Sequence, residues 1–287
     1  MTATTTPAAA GAASPSHEHR LSGGNPLAQA GALSRRAVLG IWRQPQTWVP
    51  AVLFPLLFGA LNNAAFAKVP ANLAATLGIH PFGPRDHYLG FLLVATVTQG
   101  VLFGSLGGSS ELAQDIESGF FDRLIATPVA RWSILVGRLA GAAVLGLAQG
   151  LIFLATFMLF GAQVEGGVAT FVFIPVMAML IALGIGGLSS AMAIRTGSVE
   201  AVQGSFPLLF ITLFISSAFF PTELMKGWYK AVATHNPIST IIDSMRHQVL
   251  YGWDTGEAAQ GLAVALLLVA VAIGLCLLAL RARLAKQ

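Results

Sequence analysis

The residue types that most often carry chemistry are few in this sequence, and they lie far apart. Only six histidines occur in 287 residues. His80 and His87 are seven positions apart, but Pro81 and Pro84 interrupt the backbone between them, which disfavours a shared metal site. Cys276 is the single cysteine, and no H-E-x-x-H segment is present. We therefore predict no catalytic residue and no metal site on this chain.

A nucleotide-binding loop is also missing from the sequence. The pattern G-x-x-x-x-G-K-[ST] needs a lysine followed by Ser or Thr, and none of the four lysines has one. Asp and Glu are absent from the middle of every long apolar segment, where ion-coupled transporters usually keep an ionisable group. Neither direct ATP hydrolysis nor proton coupling is favoured.

The composition is typical of a membrane protein. Only 10% of the residues are charged and 55% are hydrophobic, whereas a soluble domain has about 25% charged residues. The net charge of +4 comes without a dense basic tract or interleaved aromatics, so a nucleic-acid partner is not expected.

Six apolar segments are long enough to cross a bilayer as helices, which takes about 20 residues. The sequence thus predicts an all-α membrane protein with six transmembrane helices, kinked where proline lies inside a span. The predicted spans are Thr47–Ala67, Leu89–Ser110, Trp132–Phe160, Val168–Ile194, Gln203–Pro221 and Ala258–Leu280. The prolines inside them are Pro55, Pro175 and Pro207.

The segments outside the spans predict the rest of the layout. Residues 1–24 are rich in Ala, Thr, Ser, Pro and Gly and are expected to form a disordered cytosolic tail. Residues 25–46 combine apolar residues with arginines and predict an amphipathic helix at the membrane interface. Residues 47–287 form the six-span domain.

The Lys and Arg residues predict the orientation. Eleven of them fall on the side of the N-terminus and five on the other side, so both termini are expected in the cytosol of a cell carrying this chain in its plasma membrane. The Glu111–Arg131 loop is then cytosolic, with Ile116, Phe120 and Leu124 on one helical face. The outer stretch Thr222–Glu257 is expected to form short re-entrant helices that dip into the outer leaflet.

Glycines recur at four-residue spacing within the spans, as at Gly100, Gly104 and Gly108. Such spacing lets helices approach closely, so we expect these glycines to lie at helix contacts.

Three segments together resemble the membrane subunits of type-2 ABC exporters. The first is the acidic, glycine-containing turn that leads into Arg-Leu-x-x-Thr-Pro, and its Gly-Phe-Phe-Asp-Arg-Leu form resembles the daunorubicin- and doxorubicin-resistance branch. The second is Phe219-Phe220-Pro221, with Met225, Gly227 and Trp228 just after it. The third is Asn236-Pro237-Ile238-Ser239, followed by Asp243, Met245 and Arg246. The resemblance covers about residues 25–285; Phe120 and Lys226 depart from many relatives, which have Thr and Pro there.

The resemblance implies that the first segment is a coupling helix contacted by a separate ATPase. The implied coupling residues are Glu117, Ser118, Gly119, Phe120, Phe121, Asp122, Arg123, Leu124, Thr127 and Pro128. Phe120 and Phe121 would be aromatic anchors, while Asp122 and Arg123 would set the register with charges on the ATPase. A plain amphipathic loop helix lying on the bilayer is the alternative.

The second and third segments would form the outer gate or re-entrant turn. The residues concerned are Phe220, Pro221, Asn236 and Pro237. A simple helix-starting turn explains Asn236 and Pro237 equally well, so both interpretations stay open.

The resemblance implies a permease that exports amphipathic drugs or lipids with energy from a P-loop ABC ATPase, on which ATP and Mg would bind. A second permease chain, as homodimer or heterodimer, and the lipid bilayer are the other expected partners. Export of polysaccharide or another polar polymer, a secondary transporter or channel, and an integral membrane enzyme are the alternatives.

Overall fold

The computed structural model describes residues 26–78, 80–83, 88–125 and 131–285, and within these ranges it is built of helices joined by short turns. The predicted tail, His87, Thr127 and Pro128 lie outside the described residues. The helices are α1 (Pro26–Arg43), α2 (Pro45–Phe66), α3 (Val69–Leu77), α4 (Tyr88–Glu117), α5 (Phe120–Ile125), α6 (Arg131–Leu159), α7 (Gly167–Thr196), α8 (Val199–Gly204), α9 (Phe206–Phe214), α10 (Gly227–His235), α11 (Pro237–Leu250) and α12 (Thr255–Leu284), with a 3₁₀ turn at Thr222–Leu224.

Five stretches among the described residues are long and apolar enough to cross a membrane, and they coincide with five of the six predicted spans. They are Pro45–Leu73, Tyr88–Glu117, Leu135–Leu159, Gly167–Thr196 and Thr255–Leu284. The other predicted span, Gln203–Pro221, is not one continuous helix.

That segment instead forms the short helices α8 and α9, which meet at Ser205. Pro207 lies in the first turn of α9, where its missing N–H costs nothing, rather than inside a long helix as predicted. The Ser198 hydroxyl starts α8 by accepting a hydrogen bond from the Ala201 N–H. The chain thus has local start signals for two short helices where hydropathy alone predicts one.

Helices α4 and α7 form the centre of the bundle. Helix α7 packs against α4, α6 and α12, and α4 also packs against α2 and α6. Of the apolar membrane-spanning stretch of α4, 83% is buried within the protein. The corresponding stretches of α2 and α12 are only 22% buried, so most of their apolar surface is exposed. Helix α1 lies along α6, and Leu33 approaches Gly137 so closely that a β-carbon on the glycine would be 2.6 Å from that of Leu33.

The bundle has two distinct ends, which we name the α5 end and the α11 end. Thr47 at the start of α2 meets Gly107, and Arg283 at the end of α12 meets Asp122 of α5, so the first and last long helices begin and finish at the α5 end. At the α11 end, the backbone carbonyl of Gln248 accepts a hydrogen bond from the Gly166 N–H, just before α7 begins.

One buried glutamine joins three helices inside the bundle. Gln149 of α6 donates through Nε2 to the carbonyls of Gly100, at 2.8 Å, and Ala51, at 3.2 Å. The glycines at 100 and 104 permit this approach, because added β-carbons would meet Phe153 and Gln149. At Gly108, by contrast, an added β-carbon would meet nothing within 4 Å.

Candidate functional site

The segment that the resemblance marks as the coupling helix is a separate short helix at the α5 end. Helix α4 stops at Glu117, and Gly119 adopts φ +70° between α4 and α5. A side chain is strained in that conformation, so glycine is suited to the turn. The Gly119 carbonyl then accepts the Arg123 N–H, at 3.2 Å, within α5.

Phe121 fixes α5 to the body of the protein. Its side chain is 2% exposed and belongs to an apolar cluster made by the α5 ends of α4, α6, α7, α8 and α12. Ile116 on α4, Ile194 on α7 and Leu280 on α12 are members of that cluster. Phe121 therefore faces the protein's own core, which differs from its predicted part as an anchor exposed to an ATPase.

Asp122 is held by an arginine of the last helix. The Arg283 guanidinium donates to both carboxylate oxygens of Asp122, from Nη2 at 3.1 and 3.2 Å. Its Nη1 is also 3.5 Å from the Ile194 carbonyl at the end of α7. One half-buried side chain thereby links α5, α7 and α12. The charge predicted to select an ATPase register is thus engaged within the chain.

The remaining residues of the segment present a more accessible surface. Ser118 and Arg123 are exposed, whereas Phe120 is half-buried with the Arg36 guanidinium 4.9 Å from the centre of its ring. Glu117 is exposed yet structural, because its Oε1 accepts the Val199 N–H at 2.8 Å and so caps α8.

Two charges near the start of α6 and the end of α4 are paired. Arg138 of α6 forms an ion pair with Asp115 of α4. Leu124 lies within α5, but its side chain is outside what the structure describes.

At the α11 end, Asn236 and Pro237 start a helix and also join two elements. The Asn236 Oδ1 accepts the Ile238 N–H at 2.9 Å, the N-cap of α11, while its Nδ2 donates to the Thr212 carbonyl of α9 at 3.1 Å. Pro237 takes the first helical position. Phe220 is exposed and Pro221 is buried in the turn between α9 and α10. The cap accounts for both residues, and gating by this segment stays a prediction.

A buried arginine is the main feature of this end that the predicted site residues leave out. Arg246 is 7% exposed and donates to the carbonyls of Ser217 and Ala218, each at 2.9 Å, and to Asp243 at 3.2 Å. Its guanidinium lies 3.8 Å from the centre of the Phe91 ring. Burial lowers the pKa of Arg246 to about 10, while the Asp243 carboxylate acts in the opposite direction.

Sequence contained a signal for this cluster. An aspartate and an arginine three positions apart face one another on a helix, and here they lie in a stretch rich in Ile, Val and Leu. Ser217, which donates to Asp243 at 2.6 Å, is 26 positions away and carries no such signal.

No group of three or more His, Cys, Asp or Glu side chains that could hold a metal ion occurs within the described ranges. What both ends share is polar contacts that join helices, such as Asp122–Arg283 and Asn236–Thr212.

Known proteins resemble most of this chain. A family model described as ABC-2 type transporter matches residues 28–250. The putative transport permease ycf38 of Pyropia yezoensis is 30% identical over 219 residues, 75% of this chain and 72% of the relative. The daunorubicin resistance ABC transporter permease protein DrrB1 of Streptomyces coeruleorubidus is 28% identical over 250 residues, 82% and 83% of the two chains. The probable doxorubicin resistance permease DrrC of Mycobacterium tuberculosis is 24% identical over 200 residues, 70% and 69%.

Proposed function

This chain belongs to the ABC-2 type transporter family and is a multi-pass membrane permease, and from that premise we propose that it exports amphipathic drugs or lipids with energy supplied by a separate ABC ATPase. ATP and Mg bind the ATPase in this proposal, and this chain performs no hydrolysis itself. Two permease chains and two ATPase chains form the working assembly.

The attachment of α5 is the observation that carries the proposal. Phe121 and the Asp122–Arg283 ion pair connect the short helix with α4, α7, α8 and α12, and Glu117 at the end of α4 caps α8. A displacement of α5 therefore reaches several membrane helices at once, because packed cores shift between discrete arrangements rather than deforming continuously. Such a helix suits an element that receives force from a neighbouring ATPase.

The ATPase contact is proposed on the side of α5 that faces away from this attachment. Arg123 of α5 and Ser118 in the preceding turn are exposed, and Phe120 is half-buried between this surface and Arg36. Arginine and aromatic residues are the types that contribute most at protein interfaces. Thr127 and Pro128 would complete this surface as the family resemblance implies.

The path of the chain supports six crossings and the predicted orientation. Helix α8 is capped from α4 at the α5 end, whereas Thr212 of α9 bonds Asn236 at the α11 end. The pair α8–α9 thus connects the two ends, like the five long helices. With six crossings, both termini lie on the α5 side, which we assign to the cytosol of the plasma membrane.

A belt of contacting phenylalanine side chains supports the proposal that the substrate is apolar or amphipathic. Seven phenylalanines of α2, α4, α9 and the turn after α9 form a closed series of ring contacts, with centroids 4.8 to 6.3 Å apart. They are Phe54, Phe58, Phe103, Phe206, Phe210, Phe214 and Phe219. Phe54 and Phe214 are exposed, so the belt presents an apolar surface that does not suit a polar polymer.

The proposal is tested by transport in proteoliposomes that contain the chain and the ABC ATPase encoded nearest to it. Fluorescent phospholipids and amphipathic drugs should move only when ATP and Mg are supplied. An ATPase whose P-loop lysine is replaced by alanine is the control and should abolish movement. Movement without ATP that follows a proton or sodium gradient would identify a secondary transporter and overturn the proposal.

A further inference from the structure

A charged cavity opens between α1, α4, α6 and α7 at the α5 end. Its volume is ≈ 240 Å³, and small residues of α4 and α6 line its walls. Gly108 is the clearest of these, since a β-carbon there would meet nothing within 4 Å. The third glycine of the four-residue series is therefore not a helix contact, unlike Gly100 and Gly104, and leaves an open space instead.

Four charged side chains from three helices line this cavity. Asp115 and Arg138 neutralise each other in an ion pair. Glu111 lies one turn before Asp115 and also interacts electrostatically with Arg138, so these three side chains form one charged cluster. Arg36 faces the cavity beside the ring of Phe120. Two carboxylates share the single guanidinium of Arg138, so this cluster keeps one negative charge in excess, and Arg36 adds a positive charge. The lining therefore complements a ligand carrying one positive and one negative group.

An apolar groove continues from the cavity along the seam between α2 and α6. Trp48 and Leu145 line both, and Val52, Val144 and Ile152 extend the groove toward the exposed surface of the bundle. The apolar faces of α2 and α6 are exposed here, as at Ile152, so the groove borders the lipid. A molecule with a charged head and an apolar tail would fit both parts simultaneously.

The size of the cavity also favours a head group over a whole drug. Pockets that enclose a drug-sized ligand usually measure about 300–1,000 Å³, and this cavity is smaller at ≈ 240 Å³. The tail would then remain in the groove and the bilayer. An aliphatic tail needs no enclosed pocket, because lipid solvates it.

We propose that this cavity and groove bind the transported substrate, a phospholipid with a zwitterionic head group, with its cationic nitrogen at Glu111 and its phosphate at Arg36. This assignment rests on the proposed function and narrows its substrate class. Phe120 of α5 lines the same cavity, so movement of the coupling helix alters the site that holds the head group.

Lipid binding by the purified full-length chain is measured by native mass spectrometry with phosphatidylethanolamine, phosphatidylcholine and the anionic phosphatidylglycerol. We expect the two zwitterionic lipids to bind at least about tenfold more tightly than phosphatidylglycerol. Glu111→Gln should remove this preference. Equal binding of all three lipids by the unchanged chain would overturn the assignment.

A cavity-filling variant tests whether the site serves transport. Gly108→Leu places its side chain in this space, where a β-carbon meets no atom within 4 Å, and should block both lipid binding and ATP-driven lipid movement. Gly274→Leu is the matched control, because Gly274 of α12 also has no atom within 4 Å and lies outside the cavity. Unchanged lipid movement by Gly108→Leu would overturn the inference and leave the proposed function standing. Failure of the unchanged chain to move any amphiphile with ATP would instead contradict the proposed function.

Discussion

The two ends of the bundle hold their key arginines in different ways. At the α11 end, Arg246 is buried, satisfies two backbone carbonyls and covers the Phe91 ring. At the α5 end, Arg283 is half-buried and joins α5 to α12 mainly through the single carboxylate of Asp122. Arg246 thus holds two backbone carbonyls and an aromatic ring together in a buried position. Arg283 forms mainly a single ion pair that water can reach.

This difference indicates which end is rigid and which end moves. Arg246 is buried although Asp243 is about half exposed, so removing Arg246 costs several kcal/mol chiefly because two buried carbonyls lose their donor. A partly exposed ion pair such as Asp122–Arg283 contributes about 1 kcal/mol or less. The Asp122–Arg283 pair can therefore change its contacts during a transport cycle at small cost while Phe121 keeps α5 attached to the bundle, and the contacts of Arg246 keep the local structure of the α11 end. Four predictions test this comparison.

The largest effect is expected from Arg246→Met. The substitution leaves Asp243 without its partner and two carbonyls without their donor, so we expect a loss of about 3–5 kcal/mol in the free energy of unfolding. Thermal unfolding in detergent should shift down by roughly 10 °C. The matched control is Arg195→Met, because Arg195 is exposed and should leave the midpoint nearly unchanged. Equal midpoints for both variants would show that the α11 end is not the rigid one.

Phe121→Ala should have the next largest effect. Emptying a buried phenylalanine site costs about 3 kcal/mol or more, so α5 should detach and the protein should unfold at a lower temperature. Phe120→Ala is the neighbouring control, since the Phe120 side chain is only half-buried. We expect it to weaken ATPase stimulation with a much smaller change in stability. A reversed order of the two thermal midpoints would refute the assignment of Phe121 to the core.

Reversing the Asp122–Arg283 pair tests the moving end. Asp122→Arg should lower stability by about 1 kcal/mol only, but it should reduce ATP-driven transport by roughly tenfold, because α5 loses its link with α12. The double variant Asp122→Arg with Arg283→Asp should recover most of the transport. Transport that is equally low in the single and double variants would mean that the pair does not couple the two helices.

Gly119→Ala should have the smallest effect. Alanine is strained at φ +70°, so we expect a loss of about 1 kcal/mol. Gly274→Ala in α12 is the control, and it should be neutral or slightly stabilising because alanine favours the helix interior. A thermal midpoint for Gly119→Ala at or above that of the unchanged protein would show that the turn before α5 tolerates other conformations.

Hydropathy predicted much of the fold because the bilayer requires long apolar helices. It failed at Gln203–Pro221, where Ser198, Ser205 and Pro207 start and stop two short helices within an apolar segment. The mean hydropathy of a segment is barely changed by one serine or proline, whereas a single such residue decides where a helix begins.

The candidate site was only partly predictable for a different reason. The position of α5 follows from local sequence, but the partners of its residues are distant. Arg283 is 161 positions from Asp122, and Val199 is 82 positions from Glu117. Contacts of this kind depend on how the helices assemble, so the family resemblance suggests an exposed anchor at Phe121, whereas the assembled bundle covers its side chain.

The central claim, that α5 faces the cytosol and receives force from the ATPase, is tested most directly by photo-crosslinking. A benzophenone amino acid is placed at Arg123 or, as the control, at the exposed Lys230 of α10 at the opposite end, in membranes that contain the assembled transporter. We predict an adduct with the ATPase from position 123 and none from position 230. An adduct from position 230 alone would contradict this account.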